Sequence, residues 1–136
     1  MSTIHYTDAV DTIGADRLAG FFVGWPTPAS PEQHLAVLRG SYRAFVAIDE
    51  ETDRVVGFIN MISDGVLTAF VPWLEVLPEY QGQGIGSELV RRILADTEHF
   101  YSVDLLCDES LQPYYERFGM LRLPGMTLRH RSALQG

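Results

Sequence analysis

Gln81-Gly82-Gln83-Gly84-Ile85-Gly86 is a glycine-dense stretch set between an apolar run at residues 67–77 and an amphipathic pattern that follows it. The order reads as strand, turn, helix. Behind the turn, Ile85, Leu89, Val90, Ile93, Leu94 and Thr97 recur at spacings of three and four, while Glu88, Arg91, Arg92 and Asp96 take the opposite face. Glu88 and Arg92 stand one helical turn apart and can pair. Glycines at alternate positions let the backbone turn sharply with no Cβ in the way, so successive N–H groups converge at the positive end of the helix, a place that suits phosphate. Two other phosphate loops do not fit. A P-loop ends in Gly-Lys-Ser/Thr, which is absent here, and the dinucleotide fingerprint needs its third glycine at position 87, which is Ser87. A strand–helix turn that uses glycine for its shape alone is the other reading.

Written as Val76-x-Pro78-x-x-Gln81-Gly82-x-Gly84-x-Gly86, the stretch resembles the acyl-CoA-binding signature of the GCN5-related N-acetyltransferases: Arg or Gln, two residues, Gly, one residue, Gly or Ala. The resemblance implies that the amides of Gln81, Gly82, Gln83, Gly84, Ile85, Gly86 and Ser87 hold the pyrophosphate of acetyl-CoA. It also implies that the strand carrying Leu74, Glu75 and Val76 pairs its backbone with the pantetheine arm. A second segment, Asp108-Glu109-Ser110-Leu111-Gln112-Pro113-Tyr114-Tyr115-Glu116-Arg117-Phe118-Gly119-Met120, resembles the family's Asn-x-x-Ala-x-x-Phe-Tyr-Glu-Lys-x-Gly-Phe. Tyr115 matches the tyrosine that in many members stands beside the cofactor sulfur and protonates the leaving thiolate. Asp108 sits where the family often has Asn, at a pantetheine contact. A tyrosine packed on the sheet with its hydroxyl at the rim is the plainer reading of Tyr115.

With 136 residues and 46% hydrophobic content, the chain suits one globular domain, residues 1–136, able to bury a sizeable core. Its start, Met1-Ser2-Thr3-Ile4-His5, has no basic region followed by an apolar one, and no apolar run approaches a membrane span, so a cytoplasmic protein with no membrane partner is expected. Cys107 is the single cysteine, which excludes an internal disulfide, and no Cys/His cluster has metal spacing, so no metal is expected. A net charge of −8 argues against nucleic acid, which is bound through clustered Lys and Arg. It agrees with a cationic small-molecule or peptide amine as acceptor. A homodimer is compatible with all of this.

Taken in order, residues 4–8 suggest a strand, and residues 11–23 carry Ile13, Leu18, Phe21 and Phe22 at roughly helical spacing. The proline-rich stretch at 24–31 ends that pattern. Ser30, Pro31 and Gln33 then form a helix start, and Gly40 an end. Residues 42–48 and 55–62 read as a hairpin, and Asp64-Gly65 turns the chain into the strand at 67–77, where Pro72 calls for a bulge. The family resemblance makes that bulge the point where this strand splays from the next. Residues 101–107 read as a strand, 110–118 as a helix begun by Pro113, and 120–123 with 126–131 as a closing strand pair about Pro124-Gly125. The strand–helix–strand order requires a parallel crossover. The expected fold is therefore α/β (α+β): a single-domain acetyltransferase-like fold with a mixed six- to seven-stranded sheet, a splayed and bulged central strand, and about four helices.

The implied chemistry asks little of side chains: an amine loses a proton, attacks a held thioester carbonyl, and expels a thiolate. Tyr115 is the candidate acid. Glu75 is the candidate base, with a water relay or solvent exposure as the alternatives. Cys107 reads as packing, and His5, His34, His99 and His130 are assigned no role. The loop holding Phe22 and Trp25, together with the Pro124-Gly125 turn, is the expected wall of the acceptor pocket, or else a cover for the sheet edge. The functional expectation is an acetyl-CoA-dependent N-acetyltransferase acting on a primary amine. Its alternative is a catalytically silent acyl-CoA-binding regulatory or interaction module.

Overall fold

Five strands line up in sequence order in one sheet, β1 Ile4–Thr7, β2 Arg43–Asp49, β3 Arg54–Ser63, β4 Thr68–Val76 and β5 Ser102–Asp104, in a computed structural model that describes residues 3–135. The expected domain limits at Met1 and Gly136, and the reading of Met1 and Ser2, lie outside the described residues. The first four strands form an antiparallel meander, and β5 joins β4 in parallel. Between β4 and β5 the chain crosses over through α2, Ile85–Leu94. The other helices are α1, Pro31–Gly40, and the short α3, Gln112–Glu116.

β3 is buried over seven consecutive residues because both of its faces are covered. Gly57 faces α2: a Cβ there would stand 3.2 Å from Leu89 and 3.3 Å from Ile85, so its absence lets the helix sit close to the sheet. Its neighbour Phe58 points the other way and meets Phe21 and His34, the latter on α1. α2 buries Ile85, Leu89, Val90 and Ile93, as its pattern predicts, and Glu88 pairs with Arg92 at 2.8 Å. α1 starts on the expected capping box: Ser30 Oγ accepts from the Gln33 amide and Gln33 Oε1 from the Ser30 amide.

The Pro72 bulge is present. Asn60 faces Trp73 and Ile62 faces Phe70, so Val71 and Pro72 together oppose Met61 alone. On its other side β4 bonds β5 only through Thr68, Ala69 and Phe70, and its remaining residues have a free edge toward the crossover.

Three expectations are corrected. Residues 11–23 form no α-helix. They make two 3₁₀ turns, Val10–Thr12 and Ala15–Arg17, since Gly14 and Gly20 interrupt the run, although Ile13, Leu18, Phe21 and Phe22 are all buried. The strand expected at 101–107 contracts to Ser102–Asp104. Residues 120–123 and 126–131 form no strand pair, so the sheet has five strands rather than six or seven, with three α-helices among the described residues.

Candidate active site

Everything at the site hangs from the carboxyl end of β4. The strand ends at Val76, a 3₁₀ turn at Pro78–Tyr80 reverses the chain, and Gln81 Nε2 reaches back to the Val76 carbonyl at 3.0 Å. That bond closes the loop from which the glycine turn starts. Gly82 and Gly84 hold φ of +76° and +86°, the left-handed region in which a side chain is strained, and a Cβ at either would meet nothing within 4 Å. Glycine is required there by conformation, and the space around the turn is open. The amides of residues 82–87 bond no backbone carbonyl among the described residues; the first such donor is Glu88, to Gly84. They are the free donors of a helix N-terminus, at the end where the dipole favours an anion. Ile85 is buried beneath the turn, while Gln83 is exposed.

α3 docks on this end of α2. Tyr114 places its hydroxyl 3.1 Å from Ser87 Oγ, and Arg117 covers the outer face of its ring. Sequence reasoning passed over Tyr114 in favour of its neighbour, and nothing local to the motif marks it as the docking residue. Tyr115 is half-buried and lines a cavity of about 910 Å³ with Phe70, Leu94, Cys107 and Gln112. Burial pushes its phenol up to about 12, with smaller contributions from Tyr114 and Cys107. The group therefore stays protonated through the neutral range. Asp108 is exposed and precedes the 3₁₀ turn Glu109–Leu111 without capping it through its side chain.

On the other side of β4, Glu75 meets the loop that follows Gly20. Its Oε1 accepts from the Phe22 amide at 2.8 Å and its Oε2 from the Val23 amide at 3.3 Å. Phe22 has φ of +61°, uncommon for a side chain of its size, and the carboxylate holds the loop in that shape. Phe22, Trp25 and Trp73 then form one aromatic group, with centroids 4.9 Å, 5.3 Å and 6.1 Å apart. Trp73 was not singled out from sequence, because the bulge just before it hides which face it takes. It is 40% exposed, while Phe22 is buried. Leu74, between Trp73 and Glu75, packs against the core. Behind the loop lies a cavity of about 350 Å³ lined by Phe21, Phe22, Trp25 and Pro28.

The structure thus brings Glu75, Phe22 and Trp25 together on one side of β4, and Gln81 to Ser87 with Tyr114 on the other. The Pro124-Gly125 turn does not join Phe22 and Trp25 as expected: it lines the larger cavity with Tyr115, against Leu106. His34, assigned no role, is fully buried beneath the loop among Phe21, Phe22 and Phe58. Among the described residues no group of His, Cys, Asp and Glu could hold a metal, and no helix is long and apolar enough to cross a membrane.

Comparison with known proteins agrees with this geometry. The profile of the Acetyltransferase (GNAT) family matches residues 10–120. A curated plant protein, "GCN5-related N-acetyltransferase 3, chloroplastic" of Arabidopsis thaliana, is 33% identical over 94 residues, which is 66% of this chain and 40% of that protein. The chain thus spans well under half of that relative's length. A crystal structure of a provisionally assigned acetyltransferase from Deinococcus radiodurans R1 is 38% identical and superposes with a TM-score of 0.91, over 98% of this chain and 92% of that one. A GNAT-family acetyltransferase from Streptococcus pneumoniae TIGR4 is 30% identical, with a TM-score of 0.72 over 96% and 99% of the two chains.

Proposed function

Because the chain belongs to the GNAT acetyltransferase family, we propose that it takes the acetyl group of acetyl-CoA and passes it to a primary amine by direct attack on the bound thioester. The observation that carries the reading is the turn at the start of α2: two left-handed glycines, open space around them, and a run of unbonded amides, beside a strand edge that is free beyond Phe70. The amides of residues 82–87 meet the pyrophosphate, and the free edge at Leu74, Glu75 and Val76 meets the pantetheine amides. Asp108 stands at the start of the segment that leads to α3 and contacts the same arm. The reaction takes place in the cytoplasm, where acetyl-CoA is at hand.

In the transfer step the amine nitrogen bonds to the thioester carbon, the carbon–sulfur bond breaks, and the amine proton leaves. Glu75 is the proposed acceptor of that proton. Each of its oxygens accepts one loop amide and keeps a second lone pair. Tyr115 is the proposed donor to the departing sulfur. A phenol near 12 is a weaker acid than a thiol of about 8.5, so full transfer from it is uphill by roughly three to four decades. Its part is therefore a hydrogen bond that strengthens as charge builds on sulfur. Phe22, Trp25 and Trp73 form the wall against which the acceptor lies.

The test is thiol release from acetyl-CoA with a panel of amines, using the wild-type chain and Tyr115→Phe. Turnover with at least one amine is expected, with kcat reduced about tenfold or more in the variant and the KM for acetyl-CoA little changed. Unchanged kcat removes Tyr115 from the step. Tight CoA binding with no turnover on any amine would instead assign a silent acyl-CoA-binding module.

A further inference from the structure

α3 carries Tyr115, yet little of what usually holds a helix in place is found in it. It has five residues, no side-chain cap at its start and no fully buried residue. A helix of that length does not persist by itself, because too few hydrogen bonds follow the first turn that must be fixed. Beyond β5 the described chain enters no further strand. Its backbone hydrogen bonds and the Arg122–Glu116 pair join near neighbours within residues 105–135. Among the described residues one hydrogen bond crosses from that stretch to the rest of the chain: the Tyr114 hydroxyl meets Ser87 Oγ at 3.1 Å.

Apolar packing brings α3 to the body of the protein. Tyr114, Tyr115 and Phe118 are half-buried against the core, but such contact is non-directional and leaves a short helix free to slide or turn. A hydrogen bond fixes distance and direction together. The Ser87–Tyr114 bond is partly buried, where it is stronger than in water. Arg117 stands 5.0 Å over the Tyr114 ring, and the rings of Tyr115 and Phe118 lie 5.1 Å and 5.4 Å from it, so this ring and the helix turn move as one. The other end of the bond is equally well placed. Ser87 is the third residue of α2, its amide belongs to the unbonded set at the glycine turn, and its hydroxyl holds Tyr114. One residue thus faces the anion site with its backbone and α3 with its side chain. The family segment that residues 108–120 resemble has Phe where this chain has Tyr114, so the hydroxyl belongs to this chain and not to the segment.

We infer that Tyr114 is a positioning residue of the transfer step: its hydroxyl, held by Ser87, sets α3 against the start of α2 and so fixes where the Tyr115 phenol stands relative to the pyrophosphate turn. The inference rests on the reading of Tyr115 as the group that meets the departing sulfur. Tyr114 touches neither reactant in this role. A misplacement of about 1 Å takes a phenol out of hydrogen-bond reach and can cost on the order of 100-fold in rate. Without the hydroxyl pair, α3 stays packed by its aromatic rings but takes up other placements, so the loss falls on kcat and not on capture of the cofactor.

Two measurements on the full chain decide it. Tyr114→Phe removes the hydroxyl and keeps the ring with its Arg117, Tyr115 and Phe118 contacts, whereas Ser87→Ala removes the same bond from the other side and keeps the amide. The first measurement is amide exchange without substrate. The amides of Phe118 and Gly119, which bond the Tyr115 and Glu116 carbonyls, should exchange about fivefold faster or more in either variant and no faster in the two combined, while those of β2 and β3 keep wild-type protection. The second is thiol release from acetyl-CoA with an amine that the wild type turns over. Tyr114→Phe should lower kcat about fivefold or more, keep the KM for acetyl-CoA within about twofold, and have no further effect in the Tyr115→Phe background. A merely structural role lowers kcat by the same factor in both backgrounds. Wild-type exchange in both variants overturns the inference, as does an unchanged kcat in Tyr114→Phe or a loss that persists in full in the Tyr115→Phe background. Turnover with no amine at all defeats the reading of function instead, and exchange then decides alone whether the hydroxyl pair holds α3. Should one variant not fold, the other carries the exchange measurement.

Discussion

His34 shows how one residue ties the acceptor loop to the stability of the chain. Its imidazole is fully buried, its neighbours are three phenylalanine rings, and neither ring nitrogen has a hydrogen-bond partner among the described residues. Burial alone lowers it from 6.5 to about 4, so the folded chain keeps it neutral where the unfolded chain takes up a proton. The unfolded state binds more protons between those two values, so stability falls as pH drops through that window and levels off below it. The full loss is up to about 3 kcal/mol. His34→Leu fills similar space with no group to protonate. We expect urea denaturation to show the wild type losing stability from pH 6.5 to pH 4 relative to this variant, with the gap then constant below pH 4. Parallel pH profiles for the two proteins would mean that His34 is protonated in the fold. No sequence signal marks this residue, because a histidine at a buried helix position reads like any polar one. Glu75 is a related case: its identity invited a role, but the bulge at Pro72 removed the alternation that would have told which face it takes, and only the structure shows both its oxygens on the loop amides.

At the scale of elements, the start of α2 combines a demand for glycine with space for a ligand, and the two can be separated. Gly84 needs its left-handed φ, whereas Gly86 has an ordinary helical backbone and a Cβ there would make ordinary contacts with the Tyr114 hydroxyl at 3.5 Å and Val76 at 3.8 Å. Gly84→Val should therefore cost about 1–2 kcal/mol of local strain at an exposed turn, leave the chain folded, and weaken CoA at least tenfold by calorimetry. Gly86→Ala should bind within about threefold of wild type, since the methyl group meets no forbidden contact. Equal affinity in all three proteins would move the pyrophosphate away from this turn. Local signals made this element and α1 legible: the glycine spacing and amphipathic period of the one and the Ser30–Gln33 box of the other each act within a few residues. The missed elements depend on what lies far away. Ile13, Leu18, Phe21 and Phe22 have helical spacing and are buried, but they reach the core from turns because Gly14 and Gly20 cut the run too short to propagate a helix. Residues 120–129 have the alternation of a strand, yet a strand needs a partner, and their backbone bonds no other backbone group among the described residues.

For the whole molecule, charge sets how the two reactants arrive. The chain carries −8, so at long range it attracts a cationic amine and repels an anionic thioester cofactor. Salt acts on the two with opposite sign. The Debye length is about 30 Å at 0.01 M and about 10 Å at 0.1 M, so raising salt between these values removes most of the long-range part of both effects. On the proposed reaction, kcat/KM for a dicationic amine should fall several-fold over that range, whereas kcat/KM for acetyl-CoA should rise. The kcat at saturation of both should change little, because contact interactions inside the site are screened much less. Initial rates at 0.01 M and 0.1 M sodium chloride, with a dicationic and a zwitterionic amine compared, check this. Equal salt dependence for the two amines would mean that net charge plays no part in capturing the acceptor.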